Sequence, residues 1–370
     1  MESWSVRVLV ATPYPREHVG GVSSFVRSLE EGLRSRGADV LVTEPKGVGS
    51  RLRGANLGFS IHACRLLIRH RADLDVVHAQ QLHPMSVAVG LTARILGKGL
   101  VLTVHGRSPR PPGLAGLVFD LSEFLGVRVP HRLIFVADSL RSAIFPGGEV
   151  IPIGVPVESV RRFREFRASS REELGLREDF AIGFVGRVTQ DKGIWVLVQA
   201  FRKARHLLRS PAKLLLIGPT ESVDRELANR IADLSADVLV LGAQTEPWRY
   251  LAAADVFVLP SFHEGLPLSL LEAMAMGIPP IATSVGDVAR VIEPGVTGWL
   301  VLPGDVDALA AAITEAAGDD RLRAQVGVRA SESVAAAFDW SKVLESYIAL
   351  YVELSRRDSG MRSALPPSTR

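Results

Sequence analysis

The stretch DVFVLPSFHEGLPLSLLEAMAMGIPPIAT, residues 255–283, decides the fold. DVFVLP (255–260) is a short apolar run bounded by Pro and Ser, and reads as a buried strand. From Pro267 to Met276 the residues Leu270, Leu271, Ala273, Met274, Ala275 and Met276 describe a mostly buried helix. PPIAT (279–283) returns to strand. Strand, loop, helix and strand in succession form a βαβ unit, and such units imply parallel pairing.

The same alternation runs outward in both directions. Upstream, FAIGFVG (180–186), KLLLIG (213–218) and DVLVLG (237–242) read as strands, as does GWLV (298–301) downstream. Helical spacing fills 192–208, 221–234, 306–317, 320–336 and 341–355. In the first half, strands are expected at 6–11, 39–43, 75–79, 100–104, 131–136 and 149–153, with helices over 22–36, 55–70 and 84–96. The fold class is α/β: two Rossmann-like domains, each a doubly wound parallel sheet, facing a cleft. The alternation lapses over 154–172, GVPVESVRRFREFRASSRE, which reads as the interdomain linker. The expected division is therefore 1–160, 170–340, a last helix over 341–356 that crosses back to the N-terminal domain, and a disordered tail over 357–370.

Composition excludes several classes. Apolar residues make up 47% and charged residues 22%, as in soluble globular proteins. The opening MESWSVRVLVATP lacks the basic and long apolar regions of a signal peptide. The most apolar window, 84–104, is broken by Arg94 and Lys98, so no membrane span is expected. Cys64 is the only cysteine, which forbids an intrachain disulfide and fits a cytoplasmic location. Through residue 168 there are 22 Lys and Arg against 14 Asp and Glu; the remainder has 21 against 26. The basic first half suits an anionic partner, such as an acidic acceptor or the inner face of a membrane, or is simply Arg-rich. RLRGANLGFSIHACRLLIRHR (51–71) is basic and amphipathic, as an interfacial helix would be, although the same apolar stripe also suits packing on the sheet. No cluster of basic and aromatic residues suits nucleic acid.

Open parallel sheets bind ligands beyond the carboxyl ends of their strands, and chemistry-bearing residues follow several strands here. Gly20 and Gly21 precede the first helix, where backbone can approach a ligand and free amides attract anions. His105 ends TVHG after the fourth strand, placed to donate a hydrogen bond to a substrate or to cap the strand. Arg187 and Lys192 flank the turn in FVGRVTQDKG; a forked guanidinium and a point charge suit phosphate oxygens, or a solvated loop. Pro267 fits the first position of the following helix, leaving the amides of Leu268, Ser269 and Leu270 as an anion site. Glu272 lies on the same helix face about one turn in, and its two oxygens match a vicinal diol. Glu264 precedes the helix and addresses another part of the same ligand. Asp73-Leu-Asp75 and Asp305-Val-Asp307 have the spacing of a metal site. The first pair lies at the wrong strand end and the second reads as a helix start, so no metal is expected.

These residues bring a resemblance into view. GGVSSFV, TVHG, VIPIGVPVESVRRF, FVGRVTQDKG, LLLIGP, FDW and above all HEGLPLSLLEAMAMGIPPIATSVGDVARVIEPGVTGWLV resemble the retaining glycosyltransferases of family 4, with the GT-B fold. The last segment resembles the family's E-x7-E motif in full. The resemblance implies an N-terminal acceptor domain and a C-terminal donor domain. It implies transfer of a sugar from a UDP- or GDP-sugar to an acceptor hydroxyl in glycan, polysaccharide or glycolipid synthesis. Arg187 and Lys192 would hold the diphosphate, Glu272 the ribose, and Glu264 the transferred sugar. Gly265, Leu266, Pro267, Leu268 and Ser269 would bind the donor beside Glu264. Gly20 and Gly21 would close on the diphosphate, and His105 would stand near the donor sugar. No cofactor or metal is implied, since the nucleotide-sugar is a co-substrate. The acceptor, anionic or lipid-linked, is expected along 106–126, read as a loop. The chain departs from the family pattern at Ile153, Pro156 and Gln80, where Asn, Asp and His are usual. Two alternatives stand beside transfer: an epimerase or hydrolase of nucleotide-sugars, and a non-catalytic nucleotide-sugar-binding subunit.

Overall fold

The computed structural model describes residues 6–15, 20–45, 55–106, 113–220, 223, 225–233 and 236–363. They form two compact units, Met1–Ile153 joined by the chain from Ser341 onward, and Gly154–Trp340.

In the first unit, strands β1 (Arg7–Ala11), β2 (Asp39–Thr43), β3 (Val76–Gln80), β4 (Gly99–Val104), β5 (Arg132–Phe135) and β6 (Glu149–Val150) alternate with helices α1 (Gly21–Ser35), α2 (Ala55–Arg69), α3 (Pro84–Ile95), α4 (Leu114–Gly126) and α5 (Asp138–Ile144). The sheet is wholly parallel, in the order β2-β1-β3-β4-β5-β6. Every residue of β3 and β4 is buried, because helices cover both faces; that is why the strands read as unbroken apolar runs. The apolar stripe of α2, with Phe59, Ala63 and Leu67, packs into a core with Leu9, Val77 and Met85. The amphipathic 51–71 stretch therefore spends its apolar face on the sheet, and residues 51–54 lie outside the described residues. The 106–126 stretch, expected as loop, is helical from Leu114, and 107–112 lie outside the described residues.

The second unit opens with α6 (Val157–Arg162), a 3-10 turn (Phe163–Phe166) and α7 (Arg167–Glu173). The linker expected over 154–172 is thus a folded part of this unit. Its arginines have buried targets far along the chain. Arg164 donates to the Ala252 and Ala254 carbonyls at 2.8 and 3.1 Å. Arg167 reaches Asp255 at 2.5 Å, and Arg171 reaches it at 3.4 Å. Asp255 also accepts the Ala181 amide at 2.8 Å. The cluster ties α7 to the starts of two neighbouring strands.

Those strands belong to a second parallel sheet: β7 (Phe180–Val185), β8 (Ala212–Ile217), β9 (Val238–Gly242), β10 (Val256–Leu259), β11 (Pro280–Thr283) and β12 (Trp299–Val301), in the order β12-β11-β10-β7-β8-β9. Its helices are α8 (Ile194–Ala204), α9 (Arg225–Ala232), α10 (Pro247–Leu251), α11 (Leu268–Ala275), α12 (Val288–Val291), α13 (Val306–Gly318) and α14 (Asp320–Ala337). Asp305 caps α13 by accepting the Ala308 amide at 2.8 Å. Asp73 and Asp75 both bond Arg7, through its side chain and its amide.

Helix α15 (Trp340–Ser363) belongs from Ser341 to the first unit. It runs past the expected end at 356, so 357–363 are helical rather than disordered tail; 364–370 lie outside the described residues. Tyr347 and Tyr351 are fully buried, and the Tyr351 hydroxyl meets His78 Nδ1 at 2.6 Å. His78 Nε2 meets the Thr103 hydroxyl at 2.7 Å. Where the chain passes between units, Val155 bridges to Asp339, Ile153 is buried and Pro156 caps α6.

The arginine cluster generates a stability test. Asp255→Ala leaves guanidinium groups and an amide buried without their carboxylate. Unfolding in urea is expected to show a loss of about 3 kcal/mol, the usual cost of breaking a buried pair.

Candidate active site

Ligands of doubly wound sheets bind where the strand order reverses. In the second unit the chain steps from β7 to β8 and β9, then returns to the other side of β7 with β10. The loops leaving β7 and β10 are therefore neighbours. Lys192 Nζ donates to Glu264 Oε1 at 2.7 Å, and the same oxygen accepts the Ser261 hydroxyl at 2.7 Å. These side chains are only 20% and 10% exposed, and Ser261 is fully buried.

The backbone holds this arrangement from both sides. Gly193, at φ +69, lies so near the β10 loop that a Cβ would stand 2.0 Å from the Pro260 carbonyl oxygen. Gly286, at φ +54, would put a Cβ 2.1 Å from the Glu264 carbonyl oxygen. Only glycine permits both approaches. The Asp287 amide donates to the Gly265 carbonyl at 2.9 Å, and Thr283 Oγ1 donates to the Ser261 carbonyl at 2.5 Å. Leu266 is buried beneath the loop.

Arg187 pairs with Asp191 at 3.0 Å. Burial works against the Asp191 charge, but the Thr189 hydroxyl, Arg187 and Lys192 outweigh it and hold the carboxyl below its ordinary range. Pro267 is the N-cap of α11, not its first residue, with ψ 123. Leu268, Ser269 and Leu270 form the first turn, whose amides have no intrahelical acceptor. Glu272 is buried in α11, and burial pushes its carboxyl up to about 7. The Trp248 indole offsets that only in part, because its Nε1 makes no hydrogen bond of normal geometry.

In the first unit the order reverses between β1 and β3. Gly20 is the extended N-cap of α1, and a Cβ on Gly21 would meet nothing within 4 Å. His105, just beyond β4, meets Gln80 Oε1 through Nε2 at 2.8 Å. Its amide donates to Gln81 Oε1 at 3.0 Å. Gln81 is left-handed, at φ +69, while its own side-chain amide donates to the Gly106 carbonyl at 2.6 Å. The Phe25 ring lies edge-on to His105 at 4.8 Å. Burial pushes His105 down to about 3, so its imidazole is neutral at pH 7. His78 is held as low, by burial first and His105 second.

The family model for "Glycosyltransferase Family 4" matches residues 19–159, and that for "Glycosyl transferases group 1" matches 179–319. The chain belongs to glycosyltransferase family 4. Among curated relatives, the N-acetyl-alpha-D-glucosaminyl L-malate synthase of Bacillus anthracis is 28% identical over 79% of this chain and 78% of its own length. The phosphatidyl-myo-inositol mannosyltransferase of Mycolicibacterium smegmatis is 28% identical, covering 95% and 94%. Anabaena HepE, solved with UDP and glucose, superposes with a TM-score of 0.76 at 19% identity, covering 94% of this chain and all of that one; the likeness establishes the GT-B fold.

Within this family 4 frame, the structure joins Lys192 to Glu264 directly and Arg187 to Asp191 in the same loop. Glu272 is set apart from the pair, beside Trp248. His105, Gly20 and Gly21 stand in the other unit. Sequence reasoning missed Ser261, Asp191, Trp248 and Gln81. Asp191 was detectable as an i,i+4 partner of Arg187; Trp248 had no spacing signal.

Two pH tests arise here. The Glu272 carboxyl is raised in the folded state, so its contribution to stability is full below pH 4.5 and lost as pH rises to about 7. Glu272→Gln should remove that slope, about 3 kcal/mol across the window, from urea-unfolding free energies measured between pH 4 and 8. The His105 ring resonances should stay unmoved from pH 5 to 8 by NMR; titration near 6.5 would contradict its burial.

Proposed function

We propose that this glycosyltransferase moves a sugar from a UDP- or GDP-sugar to an acceptor hydroxyl with retention of anomeric configuration. The observation that carries the reading is the Lys192–Glu264 pair at the point of strand reversal, next to the open end of α11. The UDP and glucose held by HepE, and the lipid substrate in the name of the mycobacterial relative, support the donor and acceptor classes.

As the anomeric carbon–phosphate oxygen bond breaks, negative charge grows on the leaving diphosphate. Lys192, Arg187 and the amides of Leu268, Ser269 and Leu270 are suited to receive it. The acceptor oxygen bonds the anomeric carbon on the same face, and its proton passes to the departing phosphate. Gly20 and Gly21 admit the diphosphate close to backbone. Glu264, with Gly265, Leu266 and Pro267, addresses the sugar, and neutral His105, its Nε2–H given to Gln80 Oε1, presents Nδ1 as an acceptor to a sugar hydroxyl. Glu272 accepts from the ribose hydroxyls. The cationic field of these groups stands in place of a metal, so no metal or other cofactor is needed. Among the described residues no group of three or more His, Cys, Asp and Glu side chains is placed to hold a metal ion.

The acceptor is anionic or lipid-linked and binds the first unit, with polysaccharide or glycolipid synthesis as its setting. The protein acts in the cytoplasm, in peripheral contact with the inner face of the membrane through its basic first unit. No helix among the described residues is long and apolar enough to cross a membrane.

A thermal-shift screen with UDP, GDP, ADP and their sugars tests the reading. The matching nucleotide should stabilise the protein by about 2.7 kcal/mol at a hundredfold excess over Kd. Lys192→Ala should cut turnover about 100-fold or more. Glu272→Ala should weaken nucleotide binding, and Glu264→Ala should mainly lower kcat. No shift with any nucleotide, or product formed without an acceptor, would remove transfer as the activity.

A further inference from the structure

Gln80, at the end of β3, grips His105 by a ring nitrogen and is itself fully buried. Its backbone is pinned on both sides. The carbonyl accepts the Ser86 hydroxyl of α3 at 2.9 Å, and the following amide, that of Gln81, donates to the Thr103 carbonyl at 2.7 Å. From that fixed base Oε1 lies 2.8 Å from His105 Nε2. Gln81 holds the His105 amide, and the Phe25 ring lies edge-on to the imidazole. The ring therefore has little freedom to turn. A carbonyl oxygen only accepts, so the proton of the neutral ring sits on Nε2 and the lone pair on Nδ1. Nδ1 has no partner among the described residues, and His105 keeps part of its surface exposed.

The other end of the same amide is unpaired. Gln80 Nε2 is buried and makes no hydrogen bond. A buried amide satisfied at one end only is a poor stabilising device, since an apolar side chain of similar shape would avoid the unpaired donor. The residue is better explained by what it does to its neighbour. Among the described residues, no hydrogen-bonding partner of His105 or of the adjacent His78 carries a charge. His105 has Gln80 and Gln81, and His78 has the Thr103 and Tyr351 hydroxyls. With no carboxylate at Nε2, nothing promotes a second ring proton. A lone pair presented at Nδ1 discriminates between ligands. A hydroxyl donates to it, whereas a group that brings only lone pairs, such as a carboxylate or a fluorine, is refused.

We propose that Gln80 is a positioning and specificity-determining residue: by fixing His105 as its Nε2–H tautomer it presents an Nδ1 lone pair to the ligand, so that the transferred sugar must offer a free hydroxyl at that contact. The inference rests on the contact between His105 and the sugar put forward under Proposed function, and names the kind of group that contact admits. Turning the Gln80 amide end for end would oppose an N–H to Nε2, move the ring proton to Nδ1 and reverse the preference.

Nitrogen NMR of the full chain, labelled at histidine nitrogen, reads the tautomer without any ligand. The His105 signals are assigned by their loss in His105→Asn. Nε2 should be pyrrole-like and Nδ1 pyridine-like; a protonated Nδ1 would overturn the proposal. Gln80→Glu sets a carboxylate against Nε2–H and should bring the ring into titration between pH 5 and 8, making Nδ1 a donor. Binding reads the consequence, with UDP-glucose or GDP-mannose and the deoxyfluoro analogues of each as probes. For wild type, fluorine at one sugar position should weaken binding about tenfold, the worth of one hydrogen bond. The same substitution should cost Gln80→Glu little. Equal affinity of wild type for every analogue, or an equal loss in both proteins, would overturn the specificity role. Gln80→Met should melt close to wild type, while its His105 tautomer is no longer fixed. Should Gln80→Met lose as much affinity for UDP or GDP without the sugar as for the nucleotide-sugar, Gln80 is structural and the assignment falls. Absence of all nucleotide binding would remove the transfer reading, and the nitrogen spectrum would still decide the tautomer.

Discussion

The contact between Lys192 and Glu264 is the constraint on which the second unit's candidate site depends. Two parallel strands, β7 and β10, lie side by side although the sequence separates them by two further strands. Their loops meet through one charge pair and a buried serine hydroxyl. With so little exposure the pair is poorly screened, and removing either partner would strand the other. The glycines at 193 and 286 are a consequence: the loops can close on one another only where no Cβ intervenes. The pair also has chemical meaning. A lysine already paired to a carboxylate is fixed in direction, so an arriving phosphate would meet an oriented cation without first paying to order a flexible side chain.

The first unit solves a comparable problem with neutral groups. Gln80 and Gln81, at the end of β3, hold His105 through its ring and its amide. His78, two residues before Gln80 on the same face of β3, is bound between Thr103 and Tyr351 and so ties α15 to the sheet. Gln80, which departs from the usual histidine, matters here because an amide fixes the orientation of the imidazole without adding a further titrating ring beside His105 and His78.

What was legible in the sequence follows from burial. Strands covered on both faces leave unbroken apolar runs, so β3, β4, β7, β8 and β10 were found where they lie, and the HEGLPLSLLEAM segment fixed a strand end and a helix start. The failures share another cause. Arg164, Arg167 and Arg171 look like solvated linker charge because their acceptors, the carbonyls of 252–254 and the carboxylate of Asp255, are more than eighty positions distant. Polar residues satisfied by remote backbone have no local periodicity to betray them. Helix α4 was read as loop because Gly and Pro crowd its approach, and its outward side is apolar instead of polar, which blurs the amphipathic signal. Pro267 was misplaced by one residue, as its fixed φ suits an N-cap as well as a first turn.

Removal of water also explains why His105 in the first unit and Glu272 in the second depart from their usual values in opposite directions. Burial disfavours whichever form is charged, so it lowers His105 to about 3 and raises Glu272 to about 7. For the histidine this is a settled state, since a neutral imidazole keeps one donor and one acceptor. For the glutamate it is a debt. Its ionised form stays costly because the Trp248 indole N–H beside it offsets the burial only in part. A ligand with two adjacent hydroxyls would supply the missing donors, favour the carboxylate and draw its pKa back down. The apolar shell that destabilises Glu272 in the free chain is thus also what would make it select a diol, because the interaction is withheld from water and available only to a ligand that brings its own hydrogen bonds.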